Sequence, residues 1–286
     1  MNANFNSQMI TPKPKFPWLF LFLAYGWAWL VWIPLSLTRQ DYQESPFLLA
    51  LMFLGVLGPG AAGIILTYRE QGKAGGRDFW QRVFDFRRIR PMWYALILLL
   101  FPAIHLISIA INNWLGGAPP EFEFVKETMS LPIGIPVVII LYLLQAGLEE
   151  LGWRGYMLDR LQALWKPLTA SLVLGVFHTF WHLPLFWIVG TNQSRWGPGI
   201  DTWLFLAFVV SSSIYSTWCY NDNRRSTLAV ILLHTTGNLY LDIFLLSGTG
   251  EWIFKILCAL SALVIAIIWA TPARRWKYRG DYARNE

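Results

Sequence analysis

Long apolar runs alternate along this chain with short polar interruptions. A helix that crosses a bilayer needs about 20 consecutive, mostly apolar residues. Eight runs reach or approach that length, at 17–37, 47–68, 91–111, 133–150, 168–190, 202–220, 227–246 and 252–271. No run repeats the two-residue alternation of a barrel strand, and an open sheet edge has no place in lipid. The pattern predicts an all-α, polytopic membrane bundle of about eight helices. Pro34, Pro59, Pro102, Pro136 and Pro184 fall in or near the runs and predict kinks or helix ends, which membrane bundles tolerate. The domain reading is a transmembrane unit over 17–271, with tails at 1–16 and 272–286. The first run lacks a small-residue cleavage site after it and reads as a retained helix, not a signal peptide.

Composition strengthens this picture. The chain is 55% hydrophobic and only 14% charged, against about 25% charged in soluble domains. The net charge of +6 does not point to nucleic acid, because the basic residues sit in short loops and form no recognisable binding module. With an N-in, C-in arrangement, 19 Lys and Arg fall in cytoplasmic regions and four (Arg39, Lys126, Arg195 and Lys255) fall outside, as the positive-inside rule requires. The third outside region is acidic, with Glu121, Glu123 and Glu127. Residues 76–90 mix Phe79, Trp80, Val83, Phe84 and Phe86 with Arg77, Arg82, Arg87 and Arg88, a pattern that suits an amphipathic helix on the cytoplasmic membrane surface or a solvated basic loop. Cys219 and Cys258 lie in or beside apolar runs, which argues against a disulfide framework or a cysteine-based zinc site.

Ionisable side chains are costly in lipid and mark function by default. All four histidines, His105, His178, His182 and His234, fall inside the predicted spans. Three polar clusters stand out. In the first, Glu150 and Arg154 are four apart and can pair along one helix face, which leaves Glu149 for chemistry beside Tyr142, Gln145 and Trp153. A solvated Glu-Glu-Arg group at a helix end is the plainer alternative. In the second, His178 and His182 are four apart and face the same way; the spacing suits a metal pair or two helix-packing histidines. In the third, His234 and Asn238 share a face, a pattern also met in ordinary hydrogen bonding between membrane helices. His105 belongs to no motif and is expected outside the site. One carboxylate, two or three imidazoles and an amide suit hydrolysis: a base for water, a group to hold it, and donors for an oxyanion. No Gly-x-Ser-x-Gly elbow and no His-Glu-x-x-His signature competes.

Glu149-Glu150-x-x-x-Arg154 continuing into Gly155-Tyr156, then Trp181-His182-Leu183-Pro184, then His234-x-x-x-Asn238, resembles the CAAX-protease and bacteriocin-processing family of intramembrane proteases, over about 130–246. The resemblance implies an endopeptidase in a prokaryotic plasma membrane, acting on a peptide or membrane-protein substrate. It gives Glu149 the activation of water and His182 the holding of that water. His234 and Asn238 stabilise the oxyanion, with Glu150 and Arg154 in support. The family is called metallo- by some and glutamate-type by others. A divalent metal such as zinc, if used, would draw on Glu149, His178, His182 and His234. His178 departs from the family pattern, which has an aromatic residue there. The competing readings are a proton- or ion-coupled transporter and a non-catalytic immunity or scaffold protein. Straight spans ending at 150 and starting at 168 leave Glu149 and His182 at different depths.

Overall fold

The computed structural model describes residues 14–195 and 199–270. The tail expected at 272–286 and most of that at 1–16 lie outside the described residues. The apolar runs become helices. In chain order these are α1 (Trp18–Leu37), α2 (Pro46–Phe84), α3 (Pro91–Trp114), α4 (Glu123–Ser130), α5 (Gly134–Gly152), α6 (Leu158–Leu164), α7 (Pro167–Trp181), α8 (Asn192–Arg195), α9 (Ile200–Asp222), α10 (Thr227–Ile243) and α11 (Thr249–Ala270). The described residues contain no strand beyond an isolated bridge between Glu121 and Leu245.

Seven helices among the described residues are long and apolar enough to cross a membrane, and the chain is an integral membrane protein. The eighth expected span corresponds to α10, which has 17 residues. Val230 and Leu233 bury its middle in the core.

Local chemistry sets the boundaries. Proline at the first turn opens α2, α3 and α7, where its missing N–H costs nothing. Ser45 and Ser226 cap α2 and α10, each accepting a backbone N–H. Gly72, at φ +61°, breaks α2. Beyond it, the 76–90 segment is α-helical to Phe84 and makes a 3-10 turn at Phe86–Arg88. Its face of Phe79, Arg82 and Val83 is buried against the protein.

Two departures from the apolar pattern place the site. First, the fourth span does not stop at the charges near 150. It runs from Gly134 to Leu164 through a π-helical turn, Trp153–Met157, which joins α5 to α6. Glu149 therefore lies mid-span, 15 residues before Leu164, and His178 lies 11 residues after Pro167. The longer span removes the depth mismatch. Second, α7 ends at Trp181 and the chain continues as a 3-10 turn, Leu183–Trp187, because Pro184 supplies no N–H to a longer α-helix.

Behind the site, α2 and α5 pack backbone to backbone. A Cβ on Gly152 would fall 2.3 Å from the Pro59 carbonyl oxygen, and one on Gly60 would fall 2.5 Å from that of Leu148. Only glycine permits this approach.

Two faces of the bundle differ. On one, Arg88 donates to the Arg224 carbonyl at 2.8 Å and the Arg90 N–H to Asn223 Oδ1 at 2.9 Å. Close by, Asp159 accepts from Tyr220 at 2.9 Å and pairs with Arg225 and with Arg82, the latter at 3.2 Å. On the other face, the 3-10 turn at Tyr42–Glu44 bonds the 188–191 loop, and the Glu121 N–H bonds the Leu245 carbonyl at 2.9 Å.

Candidate active site

Successive residues of an α-helix project about 100° apart, so Glu149 and Glu150 address different neighbours. Glu149 faces α7, where it accepts a hydrogen bond from His178 Nε2 at 2.9 Å. Glu150 faces α10. Its Oε1 accepts from His234 Nδ1 at 2.8 Å and from Arg154 Nη1 at 2.9 Å. Both carboxylates and the guanidinium are at most 2% exposed. Buried charge is sustained only by pairing and hydrogen bonding, and each carboxylate has its own partners. The expected Glu150–Arg154 pair is present, one helical turn apart. Glu149, which that pairing leaves for chemistry, is held by His178.

The histidine tautomers follow from these bonds. His182 Nδ1 donates to the His178 carbonyl at 2.8 Å, since a carbonyl can only accept. In the neutral ring Nε2 then carries the lone pair. His234 must likewise donate from Nδ1 to Glu150, so its Nε2 gains a proton only in the imidazolium state. The rings of His178 and His182 lie 4.8 Å apart, and those of His178 and His234 6.5 Å apart. Trp153 packs on the other side of His178 at 4.8 Å and fixes the ring in place.

Glu149, His178, His182, His234 and Asn238 all line one cavity of about 1290 Å³. Residues from α5, α7 and α10, far apart in sequence, thus meet at a common space. Tyr142 and Gln145 line the same cavity, as their shared face with Glu149 predicts. The Tyr142 hydroxyl donates to Asp242 of α10, a link between helices that spacing alone did not reveal. His105 also lines the cavity's margin, but its Nδ1 bonds the Phe101 carbonyl at 2.9 Å and its ring stacks on Phe254 at 4.0 Å. It takes part in helix packing.

A metal finds a plausible donor set here. Glu149, His178 and His182 offer ligand atoms within 4.8 Å of one another, and two imidazoles with one carboxylate are a set known from catalytic zinc sites. His234, included in the expected ligands, instead holds Glu150. The Asp159 cluster beneath the site went unread in the sequence. Its members Arg82, Tyr220 and Arg225 come from separate segments with no common spacing. The available signal was a carboxylate 10 residues past Glu149, which becomes intramembrane once the span is extended to Leu164.

Comparison with known proteins finds relatives over the same part of the chain. Residues 131–240, which hold every residue of the three clusters, match the family described as type II CAAX prenyl endopeptidase Rce1-like. The chain is 29% identical over 237 residues to CAAX prenyl protease 2 of Methanococcus maripaludis, covering 81% of this chain and 86% of that relative. It is 23% identical over 253 residues to lysostaphin resistance protein A of Staphylococcus haemolyticus, covering 86% of this chain but 65% of that relative. The Staphylococcus epidermidis protein of the same name is 21% identical over 257 residues, with 62% of its length spanned. Over its segment 131–240, this membrane protein is similar to the type II CAAX prenyl endopeptidase Rce1-like family.

Proposed function

We propose that the chain is an intramembrane endopeptidase that hydrolyses a peptide bond with a water activated by Glu149. The observation that carries this reading is a carboxylate 2% exposed, hydrogen-bonded by His178 at 2.9 Å, on a cavity it shares with His182, His234 and Asn238. Similarity to a family of membrane peptidases supports the reaction class.

The steps follow from the donors and acceptors present. Glu149 takes a proton from water as that water attacks the scissile carbonyl carbon. His182 Nε2 accepts the second water proton in a hydrogen bond and orients the lone pair. The side-chain amide of Asn238 donates to the developing oxyanion. His234 donates to the same oxygen from Nε2 when its ring is protonated. Glu149 then returns the proton to the leaving amine as the C–N bond breaks. A correctly placed acid–base group contributes about 10²–10⁴ in rate, and one oxyanion donor about 10²–10³. Glu150 and Arg154 position His234. A divalent cation held by Glu149, His178 and His182 would add Lewis-acid polarisation of the carbonyl or of the water.

The test uses the full chain reconstituted in liposomes and an internally quenched peptide library read by fluorescence and mass spectrometry. Cleavage by the wild type, abolished in Glu149→Gln and reduced to a measurable remainder in Asn238→Ala, supports the reading. Proton or ion flux without cleavage would favour the transporter alternative, and neither would favour a scaffold. Metal analysis decides whether a cation takes part. Zinc retained by the wild type and lost in both His178→Phe and His182→Ala supports a cation-assisted reaction.

A further inference from the structure

Two side-chain bridges join α5 to α10 along the cavity. At one end Glu150 Oε1 accepts from His234 Nδ1 at 2.8 Å. At the other the Tyr142 hydroxyl donates to Asp242. The order is reversed on the two helices, so they run antiparallel. The bridges are eight residues apart on each helix, so one register holds between them. It sets Ala146 opposite Asn238 and leaves Gln145 one residue away, about 1.5 Å along the axis. Gln145, Asn238 and both bridges line the same cavity.

Within this frame Gln145 has no task yet. It is half-buried, and no hydrogen bond joins its carboxamide to another described residue. The other polar side chains on its wall are held: Tyr142 by Asp242, Glu149 by His178, and Glu150 by His234 and Arg154. A glutamine carboxamide offers one acceptor oxygen and two N–H donors. That set complements the main-chain N–H and C=O of a single peptide residue.

Spacing selects which residue that is. In an extended chain the N–H and C=O of one residue point to one side, and those of its two neighbours point to the other. Groups on one side therefore recur every two residues, about 6.6 Å. Gln145 and Glu149 are four residues apart on α5, about 6 Å along the helix, so the two repeats match. With the leaving nitrogen at Glu149, the scissile carbonyl turns to the opposite wall, where Asn238 and His234 stand. The residue before the one that supplies this carbonyl then turns its N–H and C=O toward α5, at the level of Gln145. The opposite chain direction would carry the scissile carbonyl away from Asn238, which is level with Ala146 on the Gln145 side of Glu149.

We infer that Gln145 is a substrate-binding residue that holds an extended peptide by its main chain: Oε1 accepts from the N–H, and Nε2 donates to the C=O, of the residue preceding the one that supplies the scissile carbonyl. The inference rests on the peptidase reading proposed above. Its test uses the full chain in liposomes and one peptide that the quenched library shows to be cleaved. A second peptide carries an ester in place of the amide two bonds before the scissile bond, which removes that one N–H and keeps the shape. A neutral hydrogen bond is worth a factor of about 3–10, so the ester should lower the wild-type kcat/KM by about that much. Gln145→Leu, with an unchanged melting curve, should lose about 10- to 100-fold on the amide peptide, since both bonds go, and should cleave the ester within about twofold of its own amide rate. Gln145→Met gives the same reading if the leucine variant does not fold. An ester that slows wild type and variant by the same factor overturns the inference, as does a Gln145→Leu rate equal to wild type. An ester that leaves the wild-type rate unchanged overturns it whatever the variants do. Absence of cleavage of every library peptide by the wild type overturns instead the peptidase reading on which the inference rests.

Discussion

Removing Arg154 should cost the fold much more than a surface charge would. Its guanidinium is 1% exposed and lies 2.9 Å from Glu150 Oε1. At that separation and an effective dielectric near 20, the Coulomb attraction is about 6 kcal/mol, largely spent against the desolvation of both groups. The intact pair therefore contributes little net stability. An Arg154→Met substitution keeps most of the volume but leaves Glu150 buried with His234 as its remaining hydrogen-bond donor. Breaking a buried pair from one side costs about 3–5 kcal/mol. Neutralising the orphan by adding Glu150→Gln should recover most of that, because the charge needing compensation is gone while Gln can still accept from His234. The assay is equilibrium unfolding in mixed micelles followed by tryptophan fluorescence, since Trp153 and Trp181 are fully buried and report on the core. Thermal melts check that both variants fold. A loss under about 1 kcal/mol for Arg154→Met, the range of exposed pairs, would refute the reasoning. So would a double variant that is no more stable than the single one.

Three further outcomes follow. Gly152→Ala should lower stability by about 1–3 kcal/mol, the usual cost of overpacking, because the new Cβ meets the Pro59 carbonyl oxygen at 2.3 Å; an unchanged melt would contradict the close α2–α5 approach. His178→Phe keeps the ring packed on Trp153 but removes the bond to Glu149. A hydrogen bond to a charged group is worth about 1.5–3 kcal/mol, so kcat should fall about 10- to 150-fold with KM little changed. Equal kcat would show that His178 does not position Glu149. Asp159→Asn should destabilise the cluster it forms with Arg82, Tyr220 and Arg225, read as faster amide hydrogen exchange in 153–161 than in α1; uniform exchange would contradict the structural role of that cluster.

Most of the architecture was legible because lipid imposes one rule, about 20 apolar residues per crossing, and the chain obeys it. The misjudged boundary is instructive. Glu149, Glu150 and Arg154 lower the local hydropathy and look like the end of a span at 150. They sit mid-span because His178, His234 and Arg154 satisfy the carboxylates, and the two histidines come from α7 and α10, which no local window sees. The clusters themselves were readable from their four-residue spacings, which put Glu150 with Arg154, His178 with His182, and His234 with Asn238 on common faces. Which cluster meets which was not. Spacing assigned Arg154 alone to Glu150, whereas the same oxygen also takes His234, and it left Glu149 without the partner that His178 provides. The amphipathic segment near 80 was readable as a helix with one apolar face. Its buried Arg82, reaching Asp159 and the Gly155 carbonyl, turns that face toward protein.

The central claim is that Glu149 activates the water. The most direct measurement compares initial rates of peptide cleavage by wild type and Glu149→Gln, as equal amounts of folded protein in liposomes, with matched melting curves. Gln keeps the shape and can still accept from His178, but it cannot take a proton. A loss of at least about 10²-fold, the lower range for a positioned acid–base group, is the predicted result. A Glu149→Gln rate within tenfold of wild type would contradict the account.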